Sequence, residues 1–124
     1  MRQLKRWVLL EHVGDPDDPI GLHFDLLLED VHACLTWRLK TIPVLDGLPQ
    51  EVTPLPMHNL TWLETPGRLV SGGRGFARPV RRGLFLGSVP HDYGDSFDVE
   101  LIGRELKGLL LMRKNFCELR SLDS

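Results

Sequence analysis

The segment Leu22-His-Phe-Asp-Leu-Leu-Leu-Glu carries the residues best suited to chemistry. An imidazole at His23 and a carboxylate at Asp25 are two positions apart, the repeat at which side chains of an extended strand share a face. Their Cβ atoms then stand about 6.5–7 Å apart, from two rises of roughly 3.3 Å. Both side chains can reach one cation, and a neutral imidazole with a carboxylate suits manganese, iron or zinc. His12 ends an earlier apolar run. If those two strands lie side by side, His12 comes within reach of His23 and Asp25. Two imidazoles and one carboxylate leave positions open for water or a phosphate oxygen, as a catalytic metal requires. Asp17 or Asp18, between the two runs, could substitute for His12 as a ligand.

These side chains need strands to present them. In the segment 22–29, Leu22, Phe24, Leu26 and Leu28 point one way as core residues, and His23, Asp25, Leu27 and Glu29 point the other. Further strands are predicted over 5–12, 33–40, 96–103 and 109–114, with 76–80 and 83–89 as a strand pair. Residues 15–21, rich in Asp and Pro, read as a turn. Residues 42–56 hold four prolines and are expected to be loop. Residues 58–64 read as a short helical turn or a strand end, and 71–75 as a glycine-rich loop. Six to eight short strands with little helix predict a mainly β fold, a compact closed or nearly closed β-barrel.

At 124 residues, the chain is expected to form a single domain, 1–124, large enough for a core without disulfide or zinc staples. The two cysteines, Cys34 and Cys117, form no CxxC pair and are expected to be buried free thiols, as in a reducing compartment. The basic N-terminus precedes an apolar run too short for a signal peptide, and no stretch is long enough to span a membrane, so a cytoplasmic protein is expected. Net charge is −2, but its distribution is uneven. Seven acidic residues and no Lys or Arg lie in 11–30, whereas five Arg and no acid lie in 68–82. Such a chain can hold a cation in one place and an anion in another.

Several blocks then resemble the 3′-phosphoesterase family of bacterial DNA ligase D. His23-Phe-Asp-Leu-Leu-Leu-Glu resembles its His-aromatic-Asp-apolar-Arg-Leu-Glu motif, and Thr36-Trp37 the Ser-Trp that follows it. His58 resembles a His four positions before an aromatic residue, here Trp62. Ser71-Gly-Gly-Arg-Gly sits where the family has a glycine-rich loop, and Gly103-Arg-Glu-Leu-Lys-Gly resembles its closing hairpin signature. The resemblance implies a barrel that binds manganese through His12, His23 and Asp25, with His58 on the scissile phosphate. It also implies removal of a 3′-phosphate or 3′-ribonucleoside from DNA ends, alongside a ligase or polymerase.

The chain departs from that pattern at Leu27, where the family has a phosphate-gripping Arg, and at Trp62, where it has Tyr. Its gap between His12 and His23 is also longer. Arg74, between glycines, is the expected replacement cation, with Arg38 and Lys40 as alternatives. Arg78, Arg81 and Arg82 are expected to hold the nucleic-acid backbone. Two further readings are a catalytically impaired relative that binds DNA or a repair partner without turnover, and a structural barrel with no nucleic-acid role.

Overall fold

A computed structural model describes residues 3–122. Along the chain run β1 (Lys5–Val13), β2 (Leu22–Glu29), β3 (Cys34–Leu39), β4 (Gln50–His58), a 3₁₀ turn (Leu60–Leu63), β5 (Arg68–Leu69), β6 (Phe76–Leu86), β7 (Phe97–Gly103), β8 (Gly108–Met112) and β9 (Phe116–Arg120). The strands pair antiparallel in the order β1-β2-β3-β4-β9-β8-β7-β6, and β6 returns to pair with β1. The result is the expected mainly β fold, a nearly closed ring of eight strands with little helix. β5 extends the sheet beside the start of β6. No helix among the described residues is long and apolar enough to cross a membrane.

Strand alternation builds two cores. Trp7, Leu9, Phe24, Leu26, Leu28, Trp37, Phe85, Val99, Leu101 and Leu110 belong to the large cluster inside the ring. The intervening residues Val8, Leu10, Leu27 and Cys34 face outward yet are also buried, with Leu63 and Ala77. The chain from His58 to Gly75 covers this outer face, laying Leu60, Trp62 and Val70 on it. Burying a large apolar side chain stabilises by about 1.5–3 kcal/mol, so this cover is held on by ordinary hydrophobic packing. Leu27 is therefore core, not part of a polar face. Both cysteines are buried and free, and burial pushes each thiol up to about 12.

Three expectations are corrected. Residues 50–58 are strand rather than loop, despite Pro54 and Pro56. Among the described residues β4 pairs with β9 at Gln50 and Glu51, and the Val52 amide still donates to the Asn115 carbonyl at 2.9 Å; Pro54 and Pro56 lie beyond that pairing, where the missing N–H groups break no ladder. Residues 76–86 form one eleven-residue strand instead of a strand pair. Its register against β1 shifts between Leu9 and Leu10, a bulge rather than a turn. Further along, Gly83 marks a close approach between Trp7 and β7, since a Cβ would strike the Ile102 carbonyl and Trp7 Nε1. Finally, β9 was not anticipated from the sequence; it joins β8 to β4 and closes the ring.

Candidate metal centre

His12 stands directly opposite His23 in the β1–β2 ladder, and their rings meet edge to face with centroids 4.5 Å apart. Asp25 is one outward position along β2, opposite Leu10, and Arg38 faces Asp25 from β3. All four emerge on the outer side of the sheet, where the apolar packing of Leu10 and Leu27 gives way to polar groups. The turn between β1 and β2 closes through Gly14 N–H to the Gly21 carbonyl at 3.2 Å. This folds Asp15 and Asp18 back over the histidines. Asp15 is buried, and its Oδ1 accepts from the Asp17 amide at 3.0 Å.

The hydrogen bonds fix which nitrogen of each imidazole carries a proton. His12 Nε2 lies 2.6 Å from the Arg74 carbonyl, which can only accept, so Nε2 donates, and in the neutral imidazole Nδ1 keeps the lone pair. Gly75 makes this contact possible. Its φ is +89°, and a Cβ there would run into the Val13 carbonyl, so only glycine lets the loop press against the end of β1. His23 Nδ1 donates to Asp18 Oδ2 at 2.9 Å, leaving the lone pair on Nε2. Both outer donors are thus used, and both lone pairs turn inward toward Asp25.

There they meet acceptors. His12 Nδ1 is 3.4 Å from Asp25 Oδ2, and His23 Nε2 is 3.4 Å from Asp25 Oδ1. That is long for a hydrogen bond. It matches the separation of two ligands each about 2.1 Å from one ion, roughly 3.0–3.4 Å at ordinary coordination angles. Among the described residues, His23 Nε2, Asp25 Oδ1 and Arg38 Nε are buried without a hydrogen-bond partner. Ligand atoms of His12, Asp15 and His23 lie within 4.8 Å of one another, so this buried group could hold a metal ion. The Asp18–His23 pair is the outer-shell arrangement that orients a ligating imidazole.

The Asp25 carboxylate beside it raises the His12 pKa above its ordinary value, against burial. Burial pushes Asp25 up, but contacts with His12 and His23 outweigh it and hold the carboxyl at about 2. The His23 hydrogen bond likewise lowers Asp18. Asp25 is a carboxylate throughout the physiological range.

A groove of about 590 Å³ opens over the cluster, with His12, Asp15, Asp25, Arg38, His58 and Arg74 on its lining. His58 Nδ1 donates to the Pro56 carbonyl at 3.0 Å, which leaves Nε2 as its remaining polar atom. Arg74 is exposed, and its Nε donates to Ser71 in its own loop at 2.9 Å. The Arg68 guanidinium lies 4.0 Å over the Trp62 ring on the groove wall. Arg78 pairs with Glu11, Arg81 with Glu105, and Arg82 reaches the Thr65 carbonyl. Arg81 and Arg82 line a separate cavity, with Arg104. Lys40 sits opposite Glu51, away from the groove.

Sequence reasoning missed Asp15 as a member of the cluster. The Asp/Pro turn was visible, but alternation does not say which Asp of a turn points inward. No protein-family model matches the chain, and no curated protein is similar to it.

Proposed function

We propose that the protein is a metal-dependent phosphoesterase acting on 3′ ends of DNA, removing a 3′-phosphate or 3′-ribonucleotide during strand-break repair, with manganese as the metal. The observation that carries this reading is the pair of imidazoles, His12 and His23, each with a ring nitrogen 3.4 Å from the Asp25 carboxylate, with His12 and Asp25 on the lining of a groove that also holds His58. His12 and His23 would hold the ion, with Asp25 and Asp15 supplying carboxylate oxygens. When bound, the metal polarises a phosphate oxygen and lowers the pKa of an attached water. His58, with Nδ1 tied to Pro56, is oriented to present Nε2 to a phosphate and, when protonated, to give its proton to the leaving oxygen. The imidazole and carboxylate donors suit manganese, although iron and zinc share that preference. Arg78, Arg81 and Arg82 would steer the nucleic-acid backbone toward the groove. A ligase or polymerase would use the product end.

The test is incubation with manganese and a primer ending in a 3′-phosphate. Release of phosphate, abolished by chelator and by His23→Ala, is the expected result; no release at high enzyme concentration rejects the reading. One observation favours the alternative, a relative that binds DNA without turnover: Leu27 is fully buried in the outer core and offers nothing to a phosphate. Salt-sensitive DNA binding with no product would select that alternative.

A further inference from the structure

Leu27 leaves the groove without a phosphate grip on β2, and the arginines near it are not equivalent. Arg74 spends its Nε on Ser71, and Arg68 lies flat on Trp62. Arg38 differs from both. It projects from β3 directly across from Asp25, and it lines the groove. Its Nη2 is 3.6 Å from Asp15 Oδ2 and its Nε is 3.8 Å from Asp25 Oδ1. Both distances exceed hydrogen-bonding range. The guanidinium is therefore attracted to two carboxylates but bonded to neither, and its Nε is buried without a partner among the described residues. A planar fork of five N–H donors in that state is matched to an incoming anion that can accept two bonds at once.

We propose that Arg38 is the phosphate-binding residue of this groove and that it becomes available only when a metal ion takes Asp15 and Asp25. This rests on the metal reading above. In the metal-free protein the guanidinium sits 3.6 Å from Asp15 and 3.8 Å from Asp25, a partial substitute for the ion. A bound cation would draw the two carboxylates onto itself and leave the Arg38 fork facing the groove. Cation and phosphate binding are then coupled, and by linkage each strengthens the other by the same factor.

Calorimetric titration of manganese, and then of inorganic phosphate with and without saturating manganese, tests this on the wild type, Arg38→Gln and Arg38→Lys. The wild type should bind phosphate at least about tenfold tighter when loaded. Arg38→Gln should bind manganese as tightly as the wild type or tighter, because a competing charge is gone, yet lose about ten- to a hundredfold in phosphate affinity. Arg38→Lys keeps the charge without the fork, so it should recover the metal dependence and part of the affinity. Wild-type phosphate affinity in loaded Arg38→Gln would overturn the proposal while leaving the metal reading intact. Weakened manganese binding in both variants would also overturn it, by showing that Arg38 only braces the carboxylates. Failure of the wild type to bind manganese at all would remove the metal reading and this one with it.

Discussion

The outer face of β1 and β2 carries an arginine–carboxylate cluster at each end, and the two are built differently. At one end, Arg6 donates from Nε and Nη2 to the two oxygens of Glu29 at 3.1 and 2.8 Å. Its backbone amide reaches Glu29 at 2.8 Å, and Nη1 reaches Glu64 at 2.7 Å. Each of its three side-chain nitrogens finds an acceptor within the chain. At the other end, Arg38 approaches Asp15 and Asp25 without bonding either, and two imidazole lone pairs face an acceptor. Val8, Leu10 and Leu27 separate the two ends. The contrast teaches how to tell a structural ion pair from a candidate site: the first satisfies itself, whereas the second leaves His23 Nε2, Asp25 Oδ1 and Arg38 Nε buried without a hydrogen-bond partner among the described residues.

The largest expected effect is at the incomplete end. His23→Ala should weaken manganese binding by about a hundredfold or more, the upper range of what losing a supporting residue alone costs. The apo fold should be nearly unaffected, and calorimetry with a parallel melt separates the two. Next, chelation should lower the melting temperature of the loaded protein. At about 100 times the dissociation constant, an ion that binds only the native state adds about 2.7 kcal/mol, or roughly 10 °C for a chain of this size. No such loss would leave the two ends thermodynamically alike and break the comparison.

Smaller effects sharpen it. Asp18→Asn should cost about tenfold in metal affinity, because the His23 ring loses its charged anchor but keeps a hydrogen-bond acceptor. At the complete end, Glu29→Gln should destabilise by about 1 kcal/mol and leave metal binding unchanged, read from urea unfolding and a manganese titration. The smallest effect is in the pH dependence of that difference. Arg6 holds Glu29 below the ordinary carboxyl value of 4.5, so its stabilisation is present above that pH and fades as pH falls through the folded value. The gap between wild type and Glu29→Gln should close in acid.

Much of this was legible in the sequence. The strand 22–29 was read with the bounds the structure has, and alternation alone put His23 and Asp25 on one face. His12 could be brought to them only by assuming that the first two strands pair, as they do. What alternation cannot see is a second layer. Leu27 was read as facing the same polar side as His23, but the 3₁₀ turn and the segment after it roof that side and make Leu27 core. Proline hid β4, because the rule against proline in strands fails on a free edge. Asp15 and the loose state of Arg38 depend on how a seven-residue turn folds back, which no periodicity encodes.

The pairing of β1 with β6 has a consequence for timing. Residues 5–13 cannot find 76–86 until most of the polypeptide has left the ribosome. His12 meets the Arg74 carbonyl across 62 intervening steps of chain. Topologies dominated by such distant partners assemble slowly, over milliseconds to seconds. The groove, lined by residues between Leu10 and Ala77, cannot be complete until that far wall has emerged, and before then a nascent chain has only loose histidines.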